Sequence, residues 1–474
     1  MSTQIPFDNS YARLPERFFT RQPATPVAAP QLIIFNHALA ADLGITPGDE
    51  AELAQVFSGN QIAQGAEPLA QAYAGHQFGG FSPQLGDGRA LLLGEVVSPQ
   101  TGQRLDIQLK GSGPTPYSRM GDGRAWLGPV LREYLLCEAM YALGVPTTRA
   151  LAAVSTGQPI LREAGPLPGA ILTRVAASHI RVGTFEYFAA RRDTDALQAL
   201  FEYTCARHYP TARDPVMLLD AVIARQADLV AQWHAIGFIH GVMNTDNTTL
   251  SGETIDYGPA AFMDAYHPVT VFSSIDRQGR YAYDNQSRVI VWNLAQLASA
   301  LVPLMPDQDE AVAVFTNQIN AMPDRLLAAR AHRMGAKLGL DMADAGDQGL
   351  LDTLLKMMQD HGADFTNTFR ALAETGHAPG LNAAPGYGDW EKRWQTRLQA
   401  LPGAQARMLA ANPAFIPRNH RVEQMISAAT EGDFAPFHRL LAVLQTPYDT
   451  QPDAADLQAP PEPHEVVQAT FCGT

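Results

Sequence analysis

Between Gly86 and Gly258 the chain sets out five features in one order, and that order constrains the fold more than any single segment does. Gly86-Asp87-Gly88-Arg89 is a glycine turn, and the apolar run Ala90 to Val97 follows it. Arg104 to Lys110 then alternates strictly, with Leu105, Ile107 and Leu109 on one face and Asp106, Gln108 and Lys110 on the other. Two such runs joined by Ser-Pro-Gln-Thr-Gly-Gln predict an antiparallel hairpin that ends on Lys110. Pro129 to Leu143 predicts a helix carrying Glu133, closed by Gly144 and Pro146. Strands are expected over Thr148 to Ser155 and Ala170 to Ala176. Asp214 as N-cap, Pro215 in the first turn and Gly237 just past Ile236 bound a long helix. It leads into His240-Gly241 and on to Asn247. A tight strand-turn-strand, Thr248 to Leu250 and Thr254 to Asp256 around Ser251-Gly252, is expected to deliver Ile255-Asp256-Tyr257-Gly258.

Around this centre the organisation is coarser. A length of 474 residues suggests two or three domains, and 46% hydrophobic with 17% charged residues describes an ordinary globular chain. The expected class is α+β. Residues 1–85 read as an N-terminal extension with short helical patterns at Asn36 to Leu43 and Glu50 to Phe57. Residues 86–190 carry several strands and one helix, 191–305 the two loops above, and 306–446 a helical region. The acidic, proline-rich segment 447–474 is expected to be an extended, flexible tail.

The formal charge of −14 argues against sequence-independent nucleic-acid binding, which needs clustered Lys and Arg, although a local basic site fits inside an acidic whole. Cys137, Cys205 and Cys472 form neither a metal spacing nor a disulfide framework and suit a reducing compartment. The N-terminus lacks the apolar core of a secretory signal. Val289 to Met305, interrupted by Asn293, Gln296 and Pro303, is too short for a membrane span and reads as a buried helix. The expectation is a cytoplasmic monomer with no membrane partner.

Phosphoryl-transfer enzymes of the kinase class use these parts in this order: a glycine turn over the phosphates, a strand lysine held by a helix glutamate, then an asparagine and an aspartate on divalent metal. Alone, each part has a plainer explanation. Asp-x-Gly is a common turn, a strand lysine is usually solvated, and Glu133 would suit a helix surface. Four parts in order, in the right strand and helix contexts, outweigh those explanations together. The catalytic loop departs from the kinase pattern: where aminoglycoside-type kinases read His-Gly-Asp-x-x-x-x-Asn, this chain reads His240-Gly-Val-Met-Asn-Thr-Asp-Asn247. Val242 cannot accept a proton. Asp246 is the one acid in the loop.

The chain resembles the selenoprotein O family of pseudokinases over nearly its whole length. The resemblance rests on Tyr73-Ala-Gly-His-Gln-Phe-Gly-Gly-Phe81, Gln84-Leu-Gly-Asp-Gly-Arg-Ala90, Leu109-Lys-Gly-Ser-Gly-Pro-Thr-Pro-Tyr-Ser-Arg119, Asp122-Gly-Arg-Ala125, Ser178-His-Ile-Arg-Val-Gly183 and the loop at 240–247. It implies a bilobal, protein-kinase-like fold that binds ATP reversed and transfers AMP to Ser, Thr or Tyr hydroxyls of proteins. For some bacterial members it implies UTP and manganese. Mg²⁺ or Mn²⁺ would be the cofactor. By motif, Lys110 and Glu133 form the ion pair, Asn247 and Asp256 hold the metal, and Asp246 accepts the proton. Gly86, Gly88, Arg89, Lys110, Asp122, Gly123, Arg174, Arg181 and Asp256 would contact the nucleotide. Without a partner anion two buried arginines would be costly, and the alternative reading is that Arg174 and Arg181 pair with Glu163 or Glu186 on the surface. The resemblance also implies a cysteine shortly after the Asp-x-Gly motif that pairs with a C-terminal one. Pro268 to Asp276 contains none, so that clamp is expected to be missing even though Cys472 is present. A genuine kinase using Asp246, and an inactive nucleotide-binding scaffold, are the competing readings.

Overall fold

Strict alternation of Arg104 to Lys110 demands a strand with unlike faces, and this segment lies in the interior of a sheet. The computed structural model describes residues 2–163 and 165–471. Strands in the first part are β1 (Phe19–Arg21), β2 (Gln31–Phe35), β3 (Leu69–Gln71), β4 (Gly75–Gln77), β5 (Gly80–Ser82), β6 (Ala90–Val97), β7 (Arg104–Lys110), β8 (Ala125–Trp126), β9 (Arg149–Arg162) and β10 (Gly165–Ala176). β4 and β5 form a separate hairpin. The other eight make one antiparallel sheet in the order β1-β3-β6-β7-β10-β9-β2, with β8 on β10. The first 85 residues thus supply β1, β2 and β3 to the same sheet as Lys110.

Two faces of this sheet are covered differently. On one, α1 (His37–Asp42) and α2 (Glu50–Ser58), capped by Asn36 and Asp49, pack Leu39, Leu53 and Phe57 onto Leu91, Ile107 and Leu109. On the other lies α3 (Leu127–Ala142), whose Leu131, Leu135 and Met140 are buried with Leu172 and Ala153. Cys137 is buried in this helix. β9 and β10 are longer than their apolar cores predict, because they continue as a hairpin ribbon through Leu161 and Pro166.

After β10 the chain turns helical. It forms α4 (Val182–Ala190), α5 (Thr194–His208) and α6 (Pro215–Ala235). The Asp214 carboxylate accepts from Met217 N at 2.8 Å, so the cap predicted for α6 forms. Two short strands, β11 (Phe238–Ile239) and β12 (Ala261–Phe262), pair antiparallel and bracket the loop region 240–260. The expected hairpin inside that region does not form. Thr249 bridges to Arg181 and Thr254 to Thr147, so each three-residue arm pairs with a neighbouring segment, while Gly252 N still closes the turn onto Thr249 O.

Then follow α7 (Gln286–Leu301), α8 (Gln308–Lys337), α9 (Asp347–His361), α10 (Phe365–Thr375), α11 (Tyr387–Gln399), α12 (Ala404–Ala411), α13 (Asn419–Thr430), α14 (Ala435–Leu444) and α15 (Ala455–Gln458). Among the described residues, one stretch is long and apolar enough to cross a membrane, Tyr283–Leu304. It contains α7, which buries Val289, Ile290, Leu294 and Leu297 and packs on α4, α6 and α8. The segment from Pro447, where composition suggests an extended tail, instead buries Ala454 and Leu457 in the same core as α3 and α14. Thr470 N donates to Phe272 O at 2.7 Å. A few apolar side chains at the right positions outweigh the proline and acid content. Cys472 lies outside the described residues.

Candidate active site

Register explains why the charged residues of the sheet meet. In the β7–β10 ladder Gln108 stands opposite Arg174 and Lys110 opposite Leu172. Arg174 donates to Gln108 Oε1 at 2.6 Å and to Glu133 Oε1 at 3.2 Å. Glu133, on the first half of α3, also takes the Lys110 ammonium on Oε2 at 2.5 Å. The strand-lysine and helix-glutamate pair therefore stands in the folded chain.

Asp256 completes the cluster from the other side of the cleft. Its backbone is left-handed, with φ of 63°, an uncommon conformation for a residue with a side chain. Its Oδ1 receives Lys110 Nζ at 2.5 Å and Arg174 at 3.0 Å, and its Oδ2 receives Arg181 at 3.1 Å. Burial alone would raise this carboxyl, but the three cations outweigh it and hold the group well below the usual carboxylate range. Neither Glu163 nor Glu186 takes Arg174 or Arg181: both arginines turn inward to Asp256.

The loop 240–247 is fixed by its own polar atoms. The buried His240 ring bonds Ile255 O at 2.9 Å, tying this loop to the segment that carries Asp256. Arg181 reaches Asp246 O at 2.5 Å while its guanidinium lies over the Tyr73 ring, 4.7 Å from the centroid. Asp246 is 8% exposed. Burial pushes its carboxyl up to about 6, against the opposing pull of Arg181 and of Gln77, whose amide donates to Oδ2 at 3.1 Å. Asn247 spends its amide N–H on Val242 O at 3.0 Å, which leaves the side-chain oxygen for another partner.

Lys110, Arg174, Arg181, Asp246, Asn247 and Asp256 line one cleft of about 620 Å³. Its other wall holds Gly86, Gly88, Arg89, Asp122 and Gly123, so all the nucleotide-contact residues expected from the motifs meet in a single space. Gly86 is at φ of 67°, and a Cβ there would lie 2.4 Å from the Tyr117 ring; only glycine fits this turn. Asp122 is engaged by Arg162 at 2.7 Å and accepts from Arg124 N at 2.9 Å. Seven cationic side chains line the cleft against four carboxylates, in a protein of net charge −14. Among the described residues no carboxylate pairs with Arg89 or Arg119. This is a surplus suited to a polyphosphate.

Sequence reasoning passed over several of these side chains. Tyr73, Gln77 and Arg119 sit inside the family signatures, yet nothing in their spacing gave them a role. Arg162 lies at the far end of β9, where it reaches Asp122 and lines the cleft. Asp87 is buried between Gln71 N and Gln108 Nε2, both at 3.1 Å, and burial raises its carboxyl to about 6.

For a divalent cation the donor chemistry fits. Asn247 and Asp256 offer hard oxygen atoms on the same cleft, and Mg²⁺ or Mn²⁺ of a nucleotide complex takes only one or two protein oxygens, the rest coming from phosphate and water. Among the described residues no cluster of three or more His, Cys, Asp or Glu offers a separate metal cage.

A buried lysine–glutamate pair, an Asn and an Asp with oxygen donors, and a cationic cleft are parts that a nucleotide-dependent transferase needs. The family described as Protein adenylyltransferase SelO matches residues 2–445, and the chain belongs to that family. It is 59% identical over 474 residues to the protein nucleotidyltransferase YdiU of Ruegeria sp. (strain TM1040), with both chains covered in full. The proteins of the same name from Jannaschia sp. (strain CCS1) and Rhizobium rhizogenes (strain K84 / ATCC BAA-868) are 60% and 57% identical. The first alignment covers both chains in full, and the second covers 99% of this chain and 97% of the relative. The chain is accordingly an enzyme of the nucleotidyltransferase class.

Proposed function

We propose that this enzyme transfers AMP from ATP to Ser, Thr or Tyr hydroxyls of proteins, in a kinase-like cleft that holds the nucleotide reversed. UTP would deliver UMP by the same chemistry. The observation that supports this reading is the placement of cations and base. Lys110, Arg174 and Arg181 gather around Asp256, and Arg181 also holds the backbone of Asp246. In this reading the terminal diphosphate would sit on those cations and the α-phosphate would face Asp246. Val242, at the position of a kinase base, has no proton acceptor to offer a hydroxyl aimed at a γ-phosphate.

In the step itself, the acceptor hydroxyl oxygen bonds to the α-phosphorus, the bond from that phosphorus to the bridging oxygen breaks, and pyrophosphate leaves. The hydroxyl proton passes to the Asp246 carboxylate. Arg174 and Arg181 receive the charge that develops on the departing pyrophosphate, in a site where guanidinium groups are already oriented. Asn247 and Asp256 would hold the Mg²⁺ or Mn²⁺, which supplies neutralisation of the phosphate charge. Product analysis tests the reading. With ATP, a divalent cation and an acceptor protein, pyrophosphate should accumulate in step with modified protein. Release of ADP in step with modification would make the enzyme a kinase instead.

A further inference from the structure

The β4–β5 hairpin, Gly75–Ser82, is built around the side chain of Asp246. Three bonds fasten it to the catalytic loop: His76 N donates to Thr245 Oγ1 at 2.7 Å, Gln77 Nε2 to Asp246 Oδ2 at 3.1 Å, and Phe78 N to Asn244 Oδ1 at 3.1 Å. A second layer holds the first. Glu186 on α4 receives the Thr245 hydroxyl and the His76 ring, each at 2.5 Å. Gly75 leaves a notch for the aspartate, since a Cβ there would lie 2.8 Å from Asp246 Oδ1 and 3.0 Å from its Cβ. Oδ1 sits in that notch, buried and without a hydrogen-bond donor among the described residues. Asp246 nevertheless lines the cleft, so Oδ2 is the oxygen left to face it.

From this arrangement we infer that Gln77 is a positioning residue for nucleotidyl transfer: its amide N–H fixes the Asp246 carboxylate so that Oδ2 faces the acceptor hydroxyl. The inference rests on the reading of Asp246 as proton acceptor. An aspartate carboxylate turns freely about its last bond. Here Oδ1 has no hydrogen-bond donor among the described residues, so the side-chain bond from Gln77, with the Gly75 notch, sets the angle of the plane. Gln77, a neutral amide, does not itself take up the proton.

Gln77→Met tests this, because it keeps length and bulk and removes the donor. Its turnover with saturating ATP should fall at least about tenfold, the order expected for one lost hydrogen bond to a charged group. The dissociation constant for ATP and the thermal midpoint should stay at wild-type values. Asp246→Asn is measured beside it. A Gln77→Met enzyme at wild-type turnover beside an inactive Asp246→Asn overturns the role of Gln77 alone. A Gln77→Met enzyme that loses ATP affinity in proportion to turnover overturns it too, since the residue would then support the cleft as a whole. Full activity of Asp246→Asn overturns the proton-acceptor reading, and the inference with it.

Discussion

Around Asp256 three cations, Lys110, Arg174 and Arg181, share the Asp256 and Glu133 carboxylates, and the Asp87 and Asp246 carboxylates act on Arg181 from nearby. Removing Asp256 would leave these buried cations without the carboxylate they share and would remove a metal donor with it. Asp256→Ala should therefore abolish both transfer and metal-dependent ATP binding, checked by calorimetric titration with and without Mg²⁺. Full activity in that variant would contradict the metal assignment. Asp246→Ala should lower turnover by about 10² to 10⁴, the usual contribution of a positioned base, with little change in ATP affinity. An unchanged rate would remove it as the base. Lys110, Glu133, Asn247 and Asp256 were legible because each stands in a recognisable strand, helix or loop context. Gln77 and Arg162 were not, because their partners Asp246 and Asp122 are brought to them only by tertiary folding.

Elements were legible where a period was strong. The β6–β7 hairpin, α3 and α6 follow from alternation, helical spacing and caps, whereas the short arms around Ser251-Gly252 had too few residues to choose partners by sequence. One helix end carries a testable strain. Lys337, the last residue of α8, is 1% exposed, and its ammonium lies over the rings of Phe365 and Phe369 at 5.1 and 4.5 Å. Burial lowers its pKa to about 7, and those two rings favour the charged form only in part. The folded pKa thus lies below the ordinary lysine value. Between about pH 7 and 10.4 the unfolded chain holds a proton that the folded chain does not, so stability from this group rises with pH across that window. Below pH 7 its full cost is present. Lys337→Met should remove this slope, about 1.4 kcal/mol per pH unit, and should be the more stable protein at pH 7. Denaturant titrations of both proteins from pH 7 to 9.5 check it. Parallel stability curves would contradict it.

At the scale of the whole molecule, a chain of net charge −14 encloses a cleft lined by more cations than carboxylates. Composition alone could show only the net acidity. The C-terminal segment belongs to the structural frame as well. Ala414 N and Phe415 N both bond Pro447 O, the Tyr448 hydroxyl reaches Leu143 O at 3.1 Å at the end of α3, and Ala454 and Leu457 lie in the main core. Truncation after Thr446 should lower the thermal midpoint and expose apolar surface to a hydrophobic dye; an unchanged midpoint would show that this packing contributes nothing. The central claim concerns which phosphorus is attacked, and it is tested most directly by label. The enzyme is incubated with an acceptor protein, Mg²⁺ or Mn²⁺, and ATP labelled at either the α- or the γ-phosphate. Protein-bound label from the α position alone is the expected result, and label from the γ position would contradict it.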